Sequence, residues 1–280
     1  MLPKVNSKRQ SYLSNPFLTT LGNIFVTFST ECDILLVVMN MFFMTKGTIP
    51  EGVGFSTFGP MHLIWLVSIV VCLIAAAALY KQLDEKKRNI MRLVIGGTIV
   101  LLEIIKDIFH GIVGEFGVGY LPLHLCGINI LLIAFDMFKP NNTVRNFLYY
   151  FSIAGASLAL LFPNWTSLPC WNFSGIHSFA IHGLLVMYPV LLVAGGEVKP
   201  DIKTMPKCVL LLIGIAIPVY FVNLACNTNF MFLMEPDKGN PLEMFEKLLG
   251  SHLWGFPILL PVVMFVMYLP IWLIDKLKKS

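Results

Sequence analysis

The chain has 280 residues, of which 56% are hydrophobic and 13% charged, with a mean hydropathy of +0.76. A soluble domain carries about 25% charged residues to keep its surface wetted, so this composition excludes an ordinary water-soluble globule. The net charge of +4 is modest, and no basic patch is interleaved with aromatics, which excludes nucleic acid as an expected partner.

The N-terminus is basic, with Lys4, Lys8 and Arg9. The apolar stretch behind it is too long for a signal-peptide core and lacks a small-x-small cleavage pattern, so it is read as retained. About 20 apolar residues are needed to span a bilayer, because every backbone polar group must be satisfied within the segment. The first such segment, 18–44, contains Glu31 and Asp33 and is read as an extra N-terminal helix, either transmembrane or interfacial. Seven clear helices follow, over 59–80, 92–114, 121–138, 146–162, 177–195, 207–226 and 253–274. The expected fold class is therefore all-α, a polytopic helical membrane bundle of seven clear transmembrane helices plus the N-terminal one. Residues 1–54 form a basic tail and the extra helix, and 55–280 form the seven-helix domain.

Charge sorts the loops. Lys81, Lys86, Lys87, Arg88 and Arg92 follow the first clear helix, Lys139 and Arg145 the third, Lys199, Lys203 and Lys207 the fifth, and Lys276, Lys278 and Lys279 the last. The intervening loops, 115–120 and 163–176, carry no lysine or arginine, and the next is acid-rich with Glu235, Asp237, Glu243 and Glu246. By the positive-inside rule the lysine-rich ends are cytoplasmic. The expectation is an integral cell membrane protein with both termini in the cytoplasm. Lys139-Pro140 and Lys199-Pro200 supply a cation and a helix stop at two of these ends.

Polar side chains inside such helices are costly and draw attention to function. Cys126 lies five residues into the third helix, roughly 8 Å below the outer surface at 1.5 Å per residue, and His182 lies five residues into the fifth, so the two are expected to be level. Glu103, Asp107 and His110 are spaced i, i+4, i+7 and share a face of the second helix, with Lys106 beside them. All six histidines, 62, 110, 124, 177, 182 and 252, fall on the outer side. They are expected to line one polar cavity open to the outer leaflet.

Each has a plainer alternative. Lys106 and Asp107 make an ordinary interhelical ion pair, and His62, His177 and His252 are boundary residues. His124 is either a partner of the Cys126 site or a boundary residue. Cysteines 32, 72, 170, 208 and 226 show no CxxC or zinc-finger spacing with Cys126, and pairing of Cys170 with Cys226 stays open. A buried thiol is usually a small hydrophobe. Cys126 becomes a nucleophile only as thiolate, for which a helix N-terminus and His182 as base are both at hand.

Four motifs occur in order: Phe55-Ser-Thr-Phe-Gly-Pro-Met-His-Leu-Ile-Trp65, Leu121-Pro-Leu-His-Leu-Cys126, Phe179-Ala-Ile-His182-Gly183 and Asn229-Phe-Met-Phe-Leu233. Together they resemble the YwaF-like family of integral membrane proteins, which includes the animal transmembrane protein 164. The resemblance runs over about residues 55–274. It implies transfer of a fatty acyl chain onto an ether lysophospholipid, with the chemistry on the cysteine of the second motif and the histidine of the third, here Cys126 and His182.

The expected function is thus a membrane-embedded acyltransferase working through a Cys–His acyl-thioester on phospholipid or lysophospholipid, without a metal or other cofactor. Asn129, one turn below Cys126, and the first-turn amides of its helix are expected to hold the oxyanion. Glu103, Asp107 and His110 are expected to orient an imidazole, with His124 and His177 in support. Two alternatives remain open on the residues. One is a zinc-dependent lipid hydrolase drawing ligands from His110, Asp107, His124, His177 or His182, for which no HxxxH or HExxH pair is present. The other is a transporter or channel, suggested by the proline-broken last helices with Pro218, Pro257, Pro261 and Pro270.

Overall fold

The computed structural model describes residues 41–236 and 241–277. Most of the expected 18–44 helix, including Glu31 and Asp33, lies outside the described residues, as does Asp237. Eight helices are labelled here in chain order: α1 Pro60–Gln82, α2 Glu85–Ile112, α3 Leu125–Phe138, α4 Asn142–Leu161, α5 Phe173–Ala194, α6 Met205–Cys226, α7 Pro241–Leu249 and α8 Gly255–Leu277. Among the described residues there is no strand, and the chain is an all-helical bundle.

Five helices, α1, α4, α5, α6 and α8, are long and apolar enough to cross a membrane. The apolar α3 is shorter, at 14 residues, and α2 is 28 residues long but carries Glu103, Lys106 and Asp107 in its second half. In α1 only His62 and Tyr80 are buried, while Leu63, Ile64, Val67, Val70, Val71 and Ile74 point outward. A helix apolar all round with its apolar atoms exposed is coherent only when lipid covers them.

The seven expected helices are present, and their ends differ for identifiable reasons. α2 begins at Glu85 instead of Arg92 because the Asp84 carboxylate accepts from the Lys87 N–H at 2.9 Å and caps the helix early. α5 begins at Phe173 instead of His177 because the Asn172 side chain accepts from the amides of Ser174 and Gly175 at 3.0 and 3.3 Å. The other end of the same amide donates to the carbonyls of Met41 and Met44 at 2.8 and 2.7 Å. α3 begins at Leu125 instead of Leu121, since 121–124 fold into a tight turn. The nine-residue α7 falls below the length that a spanning rule detects. Its Leu242 and Phe245 are buried while Met244 and Leu248 face outward.

α5 is the centre of the bundle and touches α1, α2, α3 and α4. Its buried Phe179, Leu185, Tyr188 and Leu192 meet Tyr80 of α1, Ile99 of α2, Ile133 of α3 and Leu160 of α4. In lipid such contacts act by close packing, because the surrounding chains are as apolar as the core. α4 contains a π-helical turn at Leu148–Ser152, and there Ser152 Oγ donates to the Leu185 carbonyl of α5 at 2.9 Å.

Candidate active site

The turn ahead of α3 is built on a close approach. The Leu123 N–H donates to the Leu121 carbonyl at 2.7 Å, and Pro122 lies so near Gly127 that a Cβ there would meet the Pro122 backbone at 2.6–2.7 Å. Only glycine fits. His124 becomes the N-cap position and Cys126 the second helical residue, so the thiol sits in the turn where the N–H groups have no helical acceptor and the helix dipole is positive. Cys126 is half-buried and carries no disulfide.

His182 is the tenth residue of α5, which runs from Phe173. The level placement rested on helices starting at Leu121 and His177; with the actual starts, Cys126 is at the mouth of its helix and His182 well inside its own. α3 and α5 are nonetheless in contact, and Cys126 packs against the same core as Phe179, Ile181 and Leu185. No hydrogen bond joins Cys126 to His182. The His182 Nδ1 lies 2.7 Å from the Ser178 carbonyl, which can only accept. Nδ1 therefore carries the hydrogen, and Nε2 is left with a free lone pair. The ring stacks on Trp165 at 5.3 Å and 14°, and Trp165 meets Phe179 edge-on at 5.3 Å.

The supporting residues separate. On α2, Lys106 Nζ lies 2.5 Å from Glu103 and 3.3 Å from Asp107. His177 Nε2 is 4.0 Å from Glu103, and His110 Nδ1 is 3.7 Å from Glu115. Glu103 and Asp107 of α2, with Lys106 between them, and His177 of α5 thus meet where these two helices touch. Asn129 is fully buried and neither amide atom has a protein partner. Asp107 Oδ1, His110 Nδ1, His177 Nε2 and Ser174 Oγ are likewise buried without a hydrogen bond.

His124 turns the other way, towards the loop before α7. Its Nδ1 accepts from the Met231 N–H at 3.4 Å and its ring meets Phe230 and Phe232 at 5.2 and 5.7 Å. Asn223 pins that loop by donating to the Phe230 carbonyl at 3.0 Å and accepting from its N–H at 2.8 Å. The second and fourth motifs are therefore neighbours. His62 is a core residue and not a boundary one. Its Nδ1 accepts from the Phe58 N–H at 2.8 Å and its Nε2 donates to the Leu160 carbonyl at 2.7 Å, with the ring fully buried. The six histidines do not share one cavity. Among the described residues no three His, Cys, Asp or Glu side chains are grouped as a metal ion needs.

The profile of the TMEM164 family matches residues 57–270. The chain belongs to the TMEM164 family. The match takes in α1 to α6, α7 and most of α8, and includes both Cys126 and His182. No curated protein and no solved structure matches the chain.

At the opposite end of this TMEM164-family bundle lies a polar network that loop charges alone did not reveal. Asp136 of α3, fully buried, accepts from Arg145 Nε at 2.9 and 3.1 Å and from the Tyr188 hydroxyl at 3.1 Å. Glu197, just past α5, accepts from the Tyr80 hydroxyl and stands 3.8 Å from both Arg92 and Arg145. Arg88 donates from each of its three guanidinium nitrogens, to the carbonyls of Tyr80, Gly195 and Lys81 at 3.1, 2.6 and 2.9 Å. The available signal was a lone aspartate in the apolar run of α3, nine residues before an arginine.

Proposed function

We propose that this protein is a lipid acyltransferase that carries its acyl chain as a thioester on Cys126, with His182 as the base. The reading is supported most by one observation: the hydrogen bond from His182 Nδ1 to Ser178 leaves Nε2 as the ring's only acceptor, on a helix that contacts the one bearing Cys126. Family membership and the place of the thiol in the first turn of α3 add to it.

In this mechanism His182 Nε2 takes the thiol proton, and the sulfur attacks the ester carbonyl of a phospholipid. The tetrahedral oxyanion forms beside the first-turn amides of α3. It collapses to the thioester as the departing alkoxide receives the proton from His182. An acceptor hydroxyl then gives its proton to Nε2 and attacks the thioester, and the released sulfur recovers that proton. Apo geometry with thiol and imidazole apart is ordinary for such a pair, because alignment tightens when substrate is bound. Lys106, 2.5 Å from Glu103, keeps that carboxylate neutralised on the face of α2. The substrate is a phospholipid or lysophospholipid reached from the outer leaflet, with the lysine-rich ends of the bundle in the cytoplasm.

Cys126→Ser and His182→Ala should each lower acyl transfer between labelled phospholipid and lysophospholipid, in purified protein, by about 10²-fold or more, while the thermal stability of Cys126→Ser stays within about 1 kcal/mol of the parent. Unchanged turnover in both variants would sink the proposal.

A further inference from the structure

A cavity of about 800 Å³ opens at the lysine-rich end, lined by Asp84, Glu85, Lys86, Arg88, Asn89, Arg92, Pro140, Arg145 and Glu197. This volume lies within the range of small-molecule sites, and the cavity is at the far end of the bundle from Cys126. Its rim, with Asp84, Glu85 and Lys86, is exposed, and its floor, with Arg92 and Arg145, is buried.

On that floor Arg88, Arg92 and Arg145 face two carboxylates, Asp136 and Glu197, while the rim carries Asp84 and Glu85 beside Lys86, with Asp84 paired to Lys87 at 3.1 Å. Arg88 is held only by main-chain carbonyls, which neutralise none of its charge. Arg145 is matched by Asp136. That leaves Glu197 to serve the rest, and it stands 3.8 Å from Arg92 and Arg145 alike, too far for a hydrogen bond to either. Arg92 is the group left over. It is 8% exposed, gives Nη2 to the Asn89 side chain at 2.6 Å, and its Nε has no partner at all. A buried guanidinium with a free donor is expensive unless an acceptor arrives, and its planar fork suits phosphate oxygens.

We infer that this cavity is a binding site for a phosphate group, held by Arg92 on the floor and Lys86 at the rim. The surroundings favour a membrane phospholipid headgroup over a soluble phosphate. α2 continues from the cavity with Ile90, Val94 and Leu101 facing outward, an apolar strip along which the acyl chains of such a lipid can lie. Glu197, tied to the Tyr80 hydroxyl, stands 3.8 Å from both guanidinium groups, and with Nη2 on Asn89 it is Arg92 Nε that is left for the ligand.

The test uses the full chain in phosphatidylcholine nanodiscs, with melting temperature followed as phosphatidylglycerol is titrated in or as inorganic phosphate is added to the buffer. The expected result is a saturable rise with phosphatidylglycerol. Its midpoint should shift about tenfold in Arg92→Gln, the loss of one charge-assisted contact. It should shift severalfold in Lys86→Gln, an exposed position whose substitution leaves the fold alone, and not at all in Lys81→Gln, which is basic but outside the cavity. A rise with inorganic phosphate alone, with the same dependence on Lys86, keeps the phosphate site and makes the ligand soluble. No rise with either probe would overturn the inference. So would equal shifts in Lys86→Gln and Lys81→Gln, which would mark diffuse surface charge. The result does not depend on acyl transfer and stands or falls apart from Cys126.

Discussion

The two ends of the bundle treat polar atoms in opposite ways. At the lysine-rich end, Asp136, Arg145, Tyr188, Glu197, Tyr80 and Arg88 are joined into a network in which nearly every donor has an acceptor. At the other end both amide atoms of Asn129, His110 Nδ1, His177 Nε2 and Ser174 Oγ are buried without a hydrogen bond, while Asp107 Oδ1 meets only the Lys106 ammonium at 3.3 Å. A satisfied buried network fixes one arrangement of helices, whereas unsatisfied groups are a cost tolerated where a substrate is to supply the partners. The first end is a clamp with one free donor at Arg92. The second keeps polar atoms without hydrogen bonds.

Substitutions can break or sharpen this contrast. The largest effect belongs to the clamp: Asp136→Leu strands the Arg145 guanidinium and should cost about 3–5 kcal/mol, seen as a large fall in melting temperature in detergent or nanodiscs. Survival of Asp136→Leu with an unchanged melting temperature would mean that the network does not hold α3, α4 and α5 together. Next comes Gly127→Ala, where a Cβ would strike the Pro122 backbone at 2.6–2.7 Å. Overpacking of this kind costs about 1–3 kcal/mol, and because it pushes the turn that sets Cys126, acyl transfer should fall further than stability does. The smallest stability change is expected at the Cys126 end. Asn129→Leu removes two unpartnered atoms and should be neutral or stabilising by up to about 1 kcal/mol, yet lower turnover by about 10²-fold if the amide serves the oxyanion. Loss of stability with turnover intact would place Asn129 in the clamp class.

Much of this layout was legible in the residues. Runs of apolar side chains with lysine at alternate ends gave seven helices at the right places, because a bilayer allows few other solutions. Helix starts were missed where capping side chains acted at a distance from the apolar run. Asp84 and Asn172 lengthened α2 and α5, and the approach of Pro122 to Gly127 shortened α3. With these starts Cys126 is the second residue of α3 and His182 the tenth of α5, so equal counts from the surface no longer hold, although the two helices touch. The shared face of Glu103, Asp107 and His110 followed from helical spacing, whereas the approach of His177 to Glu103 joins two helices and did not. The role of His62 did not, since its two partners, Phe58 and Leu160, include one 98 residues away. Arg92 and Arg145 read as loop charges until Asp136 and Glu197 appeared beside them in space.

The proposed mechanism requires a covalent acyl intermediate on Cys126, which intact-protein mass spectrometry can detect after brief exposure to a phospholipid with an isotopically labelled acyl chain. The expected result is a mass increase of one acyl chain, removed by neutral hydroxylamine, absent in Cys126→Ser and slow to form in His182→Ala. Transfer of the labelled chain to lysophospholipid by the Cys126→Ser protein, or an adduct of undiminished yield in that variant, would contradict it.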